Sequence, residues 1–245
     1  HRDLHSFPTR RSSDLKAGLV WFFLAAMGLL WGCGMWWDPQ AWTDESVFIT
    51  IAFTLHLTLK IWVGIEASRR FALDRHSGAL ELILATPLPV REIVRGQLLA
   101  LWKQFAAPAA VVLLVDLTFL IGGHSGGEHR VFLWSAFMLV YVADLVALSW
   151  LGMWCGLRHR NVNRSAGAAL WRILALPWVV FIVLVSLRVL TPPTEFGLAF
   201  LWLVINLSGA ICFGLWARDC LLSDFRKTVT ERYGRPEGQG GRAFK

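Results

Sequence analysis

The chain has 245 residues, of which 56% are hydrophobic and 17% are charged, and its mean hydropathy is +0.51. A soluble domain carries about 25% charged residues, so this composition excludes ordinary soluble, disordered and fibrous proteins and small secreted disulfide scaffolds. The formal charge of +7 comes from Lys and Arg between long apolar runs. Such residues set membrane orientation, so nucleic acid is not the expected partner. The four cysteines lack metal-type CxxC spacing, and no bound metal is expected.

Residues 1 to 15 are expected not to belong to the natural protein. Residues 5 to 15 read HSFPTRRSSDL, which resembles, residue for residue, the translation of a common sequencing-library adapter. A basic targeting leader is the alternative, but the segment lacks a continuous amphipathic pattern. We therefore expect the native part of this sequence to begin at about Lys16. The natural N-terminus is expected to be missing from it.

Six apolar segments are long enough to cross a membrane, since a spanning helix needs about 20 residues. Two of them contain a proline, Pro108 and Pro177, which predicts a kink that neighbouring helices tolerate. The sequence thus predicts an all-α integral membrane protein with six transmembrane helices, at residues 17 to 37, 47 to 65, 96 to 121, 131 to 157, 166 to 190 and 196 to 216.

Positive charge is very uneven between the two sets of connections. Fifteen Lys and Arg lie in the segments 66 to 95, 158 to 165 and 218 to 245, and Arg130 alone lies in the opposite loops. Cytoplasmic loops of membrane proteins are enriched in Lys and Arg. We therefore expect these segments and both chain ends to be cytoplasmic, with the protein in the plasma membrane, the inner membrane of a bacterium. The basic, Gly-rich tail at 228 to 245 is expected to be disordered.

The connection from 66 to 95 is the most distinctive segment of the chain. It mixes charged residues with apolar ones at helical spacing, among them Phe71, Leu80 and Leu84. Pro87 and Pro89 would end such a helix, because proline restricts both itself and the residue before it. By composition alone, the segment is compatible with an amphipathic helix that lies on anionic lipid headgroups.

Residues 75 to 96 also resemble the signature of ABC-2 type transporter permeases. They read RHSGALELILATPLPVREIVRG, and the family has a basic, Gly-containing turn, then an L-E-x-L-L-x-T-P-L run and an E-I-V/L-x-G-K run. The plan of six helices, both ends inside and short outer loops extends the resemblance from residue 16 to about 227. Two positions depart from the family, since Ala79 replaces a frequent Thr and Gln97 replaces a frequent Lys.

The resemblance implies a transport role for a six-helix domain at residues 16 to 227. In such transporters two membrane subunits, identical or paralogous, pair around a translocation path in the lipid bilayer. The segment from 66 to 95 would hold a coupling helix that contacts a separate ATP-binding subunit. This chain has no G-x-x-x-x-G-K-[ST] sequence, so ATP and Mg²⁺ would be bound by that partner, and the chain would not be an enzyme by itself. The family favours export of a lipid, a drug-like compound or a polymer precursor.

The residues expected to contact the ATP-binding subunit form two groups. Apolar side chains would pack into a groove on that partner, and charged side chains would fix the orientation of the contact. The apolar residues are Phe71, Leu80 and Leu84, and the charged residues are Arg69, Arg70, Arg75, Glu81 and Glu92.

Polar residues within the predicted spans are candidates for function, because ionisable groups are costly in a bilayer. Lys60 and Asp144 lie at similar predicted depth, so we expect them to pair, either to pin the bundle or to separate during transport. His56 and Asn206 could line a path or cross-link helices. Asp116 is expected to lie near the outer edge and to reach water.

Two other classes of function are open from the sequence. Residues 123 to 127 read GHSGG, which matches G-x-S-x-G and would suggest an intramembrane serine hydrolase. A nucleophile elbow, however, needs a strand, a sharp turn and a helix. A passive membrane subunit of a larger assembly is the third class. Dependence of function on a partner ATPase separates the transporter from both.

Overall fold

The computed structural model describes residues 11–42, 44–76, 80, 88–122, 127–159, 161–187 and 194–230, and its regular elements are helices. The helix bounds are α1 Arg11–Trp37, α2 Pro39–Trp42, α3 Glu45–His76, α4 Val90–Gly122, α5 Glu128–Arg158, α6 Val162–Leu170, the π-helical turn Trp171–Ala175, α7 Leu176–Ser186, α8 Glu195–Ser223 and α9 Phe225–Thr230.

Within the described ranges, six helical stretches are long and apolar enough to cross a membrane. Their outer faces carry large apolar side chains, such as Phe22 at 74% exposure and Ile121 at 76%. Such extensive apolar surface fits hydrocarbon better than water. The prediction of an all-α chain with six helices able to span a membrane is confirmed for these residues, which are Gly18–Trp37, Glu45–Arg75, Val90–Gly122, Glu128–Arg158, Val162–Ser186 and Phe196–Ser223.

The connection between the second and third spans is shorter than predicted. Helix α3 continues through residues 66 to 76, and α4 already begins at Val90. Charged residues continue α3 beyond the apolar run. Glu66 and Arg70 lie one turn apart, with Oε1 of Glu66 3.8 Å from Nε of Arg70, and an ion pair at this spacing stabilises a helix. The predicted loop at 66 to 95 therefore belongs largely to two long helices. Residues 77–79 and 81–87, which hold most of the predicted coupling helix, lie outside the described residues.

The structure describes only part of the two predicted terminal segments, and the predicted domain bounds stay predictions. Residues 1 to 10 of the segment predicted to be non-native lie outside the described residues, and 11 to 15 belong to α1. The predicted disordered tail begins at 228, yet α9 continues to Thr230, with Phe225 and Val229 buried. Burial of these two apolar side chains accounts for the extra helix. Residues 231 to 245 lie outside the described residues.

The chain divides into two compact units, and the first has an aromatic core. Unit one comprises His1–Lys60 and Trp102–Met138, and unit two comprises Ile61–Leu101 and Leu139–Lys245. In unit one, Phe48 and Phe119 stack with ring centroids 4.5 Å apart. Trp31 and Trp134 pack against Phe119 at centroid distances of 5.5 and 5.6 Å. These rings join α1, α3, α4 and α5 by offset and edge contacts.

In unit two, α3 and α5 approach closely along a line of small residues. Gly152 and Gly156 on α5 face Gly64 and Ser68 on α3, so both helices use a spacing of four. A Cβ atom added at Gly152 would lie 2.8 Å from Cβ of Ala67 and 3.2 Å from the carbonyl oxygen of Gly64. Small residues let helix backbones approach each other closely in membranes. Close packing matters there because lipid tails are as apolar as the side chains, so the hydrophobic effect does not drive the helices together.

The fifth span changes its helical period just before a proline. The π-helical turn Trp171–Ala175 precedes Pro177, which is the second residue of α7. Pro177 offers no N–H to the carbonyl of Ile173, four residues earlier, and a wider turn accommodates that loss. Pro108, by contrast, lies inside the continuous helix α4.

Candidate functional site

Two contacts in unit two hold the ends of the segment that resembles the transporter signature. Nε2 of Gln97 on α4 donates to Oδ2 of Asp74 on α3 at 3.0 Å. Arg75, the next residue on α3, donates through Nη1 to the main-chain carbonyl of Leu157 on α5. We call Asp74, Arg75 and Gln97 the motif clamp. It connects the last turn of α3 to the start of α4 and to the end of α5.

The Arg75 contact stabilises a helix terminus. The last four carbonyls of an α-helix have no donor within the helix, and this end carries a partial negative charge. Leu157 lies in the last turn of α5, which ends at Arg158. The Arg75 guanidinium supplies both a donor and a complementary charge there. A shift of the last turn of α3 would therefore act directly on α5.

The charged residues predicted to contact an ATPase occupy different environments. Arg69 and Arg70 are half-buried on α3, and Arg75 belongs to the motif clamp. Glu92 is exposed in the first turn of α4. Of the four charged residues that the structure describes, Glu92 is the one whose side chain is exposed. Glu81 lies outside the described residues.

The apolar residues predicted for the same contact are buried within the chain. Phe71 has no exposed surface, and its ring centroid lies 5.8 Å from that of Phe225 on α9. Leu80 is 1% exposed. Both side chains are thus covered within this chain, and their predicted packing into a groove on another subunit stays a prediction. Leu84, the third predicted residue, lies outside the described residues.

A buried polar pair lies in unit one. Nε2 of His56 on α3 is 2.8 Å from Oδ2 of Asp116 on α4, and both side chains are almost completely buried. A carboxylate oxygen can only accept, so an N–H at Nε2 of His56 donates this hydrogen bond. His56 is thus a helix contact, one of the two roles predicted for it. The other carboxylate oxygen, Oδ1, has no hydrogen-bond partner among the described residues.

The expectation that Asp116 reaches water is wrong. Its side chain has no exposed surface, although it lies two turns from the end of α4. Aromatic side chains of unit one lie nearby, since Phe119 is one turn further along α4 and the ring centroid of Phe137 is 6.2 Å from that of His56. Position along a helix predicts depth, but neighbouring side chains decide whether water reaches the group.

Lys60, Asp144 and Asn206 are also buried, at 9%, 2% and 4% exposure. Lys60 belongs to unit one and Asp144 to unit two, and their predicted pairing stays a prediction. Nδ2 of Asn206 donates to the carbonyl of Trp202 on its own helix at 2.8 Å. This bond lowers the free-energy cost of burying the amide, and both of its partners belong to the same helix.

The segment between α5 and α6 is strongly basic. Arg158, His159 and Arg164 lie close together in sequence, and Arg172 follows two turns later. Partial burial lowers the pKa of His159, and the positive charges of Arg158, Arg172 and Arg164 lower it further. This end of unit two therefore favours a neutral histidine beside fixed cations.

The serine-hydrolase alternative rests on residues that the structure leaves largely undescribed. Residues 123 to 126 lie outside the described residues, and Gly127 precedes α5 directly. His129 is exposed in the first turn of α5. Among the described residues, no group of three His, Cys, Asp or Glu is arranged to hold a metal ion.

Sequence reasoning missed the partners that organise both sites. The pairing of His56 with Asp116 joins residues sixty positions apart, and no local pattern encodes that distance. A weak signal existed for Gln97, because it departs from the resembled family at the end of the signature. The small residues at 64, 68, 152 and 156 gave a clearer signal, since their spacing is typical of close helix pairs.

No protein-family model, curated protein or solved structure matches the chain. A functional assignment therefore depends on the residues and contacts described above.

Proposed function

We propose that the chain is the membrane-spanning subunit of an ABC-2 type transporter. A separate chain would bind and hydrolyse ATP, and a second membrane subunit, a copy or a paralogue, would complete the translocation path. The transported compound would be a lipid, a drug-like molecule or a polymer precursor, exported across the plasma membrane, the inner membrane of a bacterium.

The observation that carries the proposal is the position of the signature-like residues 75 to 96. They begin in the last turn of α3 and end two turns into α4, so they connect two membrane-spanning helices directly. The motif clamp holds both ends, through Gln97 with Asp74 and Arg75 with Leu157. A force on the connection would therefore reach α3, α4 and α5 together. This arrangement supports a coupling role better than a passive loop would.

The exposed start of α4 is the proposed contact surface for the ATPase. Leu88 is 44% exposed, and Glu92 is exposed one turn later. These two residues offer an apolar side chain and a carboxylate on the same short stretch. Phe71 and Leu80, which are buried, would instead support this surface from beneath. No nucleotide chemistry is assigned to this chain, since it lacks a phosphate-binding loop.

The proposal is tested by co-purification from the native host. The chain is tagged and solubilised, and the recovered proteins are identified by mass spectrometry. Glu92→Lys reverses a charge on the proposed contact, and Glu128→Lys makes the same change in the first turn of α5, on the opposite side by the charge pattern. Both carboxylates are exposed and begin a long helix, so the folding cost is matched.

We expect an ATP-binding protein to co-purify with the unaltered chain and with the Glu128→Lys chain. Glu92→Lys should reduce recovery about tenfold, the change that about 1.4 kcal/mol of binding free energy produces. A correctly folded chain that recovers no ATP-binding protein would remove the proposal. An equal loss in both variants would place the contact somewhere other than the start of α4.

A further inference from the structure

Three helices of unit two form a groove with a cavity volume of about 710 Å³. Each helix contributes residues three or four positions apart, which is the spacing of a single helix face. Arg91 and Arg95 come from α4, Val146 and Trp150 from α5, and Gly214 and Arg218 from α8. A volume in this range accommodates a small organic ligand or part of a lipid.

Small and apolar residues form the floor of the groove. Ala147 on α5 and Gly214 on α8 meet there, and a Cβ atom added at Gly214 would lie 3.4 Å from both Cα and Cβ of Ala147. Neither residue carries a large side chain, so the groove stays open above the point where the two backbones meet. The lining of α8 extends from Ala210 to Leu222, a length of about 18 Å at the rise of an α-helix. This is close to half the thickness of a bilayer core, about 15 Å.

One end of the groove is cationic. Arg91 and Arg95 lie in the first two turns of α4, and Arg218 lies in the last two turns of α8. All three are exposed, and none of them forms an ion pair with a carboxylate among the described residues. The acidic neighbours Glu92 and Asp219 do not line the groove. Three guanidinium groups thus border an apolar groove, and no carboxylate of the described residues pairs with them.

We propose that this groove binds an anionic phospholipid as a resident ligand of the protein. The guanidinium groups of Arg91, Arg95 and Arg218 hold the phosphate, because their planar N–H groups match two phosphate oxygens at once. An acyl chain lies along Val146, Ala147 and Gly214. Charge complementarity selects an anionic headgroup, and the apolar floor selects a lipid over a free phosphate. This site requires neither the ATPase nor the transported compound of the proposed function.

The first test measures lipid binding to the purified full-length chain. The protein is freed of lipid in detergent and titrated separately with phosphatidylglycerol and phosphatidylcholine, and bound lipid is counted by native mass spectrometry. Arg95→Gln with Arg218→Gln removes two charges from the groove. Arg158→Gln with Arg164→Gln removes two exposed charges outside it. Folding of each variant is checked by gel filtration and circular dichroism.

We expect the unaltered chain to prefer phosphatidylglycerol. The Arg95 and Arg218 double variant should bind it at least about tenfold more weakly, and the Arg158 and Arg164 variant should bind like the unaltered chain. Equal binding of the two lipids, or equal loss in the two double variants, would overturn the proposal. So would complete displacement of the lipid by inorganic phosphate, because the apolar part of the groove would then contribute nothing.

A second pair of variants fills the groove without changing charge. Val146→Trp places a large ring on its lining, whereas Val142→Trp places the same ring one turn away, outside the lining. Both valines are exposed, at 49% and 43%. Only Val146→Trp should reduce lipid binding. If Val146→Trp instead dissociates a dimer and leaves lipid binding unchanged, the groove is an interface between copies and the proposal fails.

Discussion

His56 Nε2 lies 2.8 Å from Asp116 Oδ2, and this contact joins α3 to α4 inside unit one. Both groups are almost fully buried, so neither can exchange its partner for water. Removing one partner from such a pair leaves a buried polar group without compensation.

Asp116→Ala is therefore expected to lower the free energy of unfolding by about 1–3 kcal/mol, the cost of a buried unsatisfied partner. Asp116→Asn keeps an acceptor and should lose less. Unfolding in detergent measures both values, with the exposed Asp219→Asn as the control. An Asp116→Ala chain as stable as the control would show that the pair contributes nothing to folding.

Gly156→Ala should destabilise the contact between α3 and α5. A Cβ atom at this position would overlap the main-chain carbonyl of Ser68, which cannot move aside as a side chain can. Overpacking of this kind costs about 1–3 kcal/mol. Gly167→Ala on α6 is the matched control, because nothing lies within 4 Å of its added Cβ. The thermal midpoint should fall for Gly156→Ala alone, and a similar fall in both would refute close packing at Ser68.

Gln97→Leu is expected to weaken the motif clamp. The change removes the donor to Oδ2 of Asp74 and should lower the free energy of unfolding by about 1 kcal/mol, the net value of an ordinary hydrogen bond. Gln97→Lys should be tolerated, because an ammonium group also donates and adds an opposite charge beside Asp74. Denaturant titration of the three chains distinguishes them. If Gln97→Lys is as unstable as Gln97→Leu, the contact to Asp74 is not what the position requires.

Arg75→Ala should have a larger effect than the loss of a nearby exposed arginine. It removes a charged donor from the Leu157 carbonyl at the end of α5, and hydrogen bonds of this class contribute about 1.5–3 kcal/mol. Arg158→Ala is the control, since Arg158 is exposed one residue further along α5. Hydrogen exchange of the α5 C-terminus should accelerate in Arg75→Ala and change little in Arg158→Ala. Equal rates in both would argue against the cap.

Stability should depend on pH through His159. Its pKa is lowered in the folded chain from the ordinary value of 6.5 by partial burial and by nearby arginines. The unfolded chain therefore binds the proton more readily, so stability falls as pH drops through 6.5 towards the lowered pKa. Between about pH 7.5 and about pH 5.5, which bracket the ordinary histidine value, the thermal midpoint should fall less for His159→Gln than for the unaltered chain. Identical pH profiles would exclude this contribution.

The six spans could be predicted from the sequence because each depends on a local property, the length of an apolar run. Hydropathy, however, indicates where a chain leaves hydrocarbon and not where a helix ends. Helix α3 thus continues past residue 65 through Glu66 and Arg70, as its backbone hydrogen bonds continue in a polar setting. For the same reason the predicted loop at 66 to 95 was too long.

The candidate sites were less predictable, because burial depends on what another helix covers. Phe71 and Leu80 have the composition of a docking surface, yet Phe71 packs against Phe225, more than 150 residues later in the sequence, and Leu80 is equally covered. Asp116 has the position of a water-exposed residue, yet its side chain is fully buried and contacts His56 of another helix. Neither outcome can be inferred from a residue and its sequence neighbours.

The sequence by itself determined that this chain is helical and membrane-embedded, because the cost of exposing apolar side chains and unpaired backbone groups is set by composition and run length. It also determined the uneven charge of the connections and the resemblance of residues 75 to 96. Tertiary structure alone decided which polar groups meet, as in the motif clamp and the His56 pair. It also decided which arginines border the groove of unit two. These pairings depend on packing between distant helices, which small residues such as Gly156 permit and which no local pattern specifies.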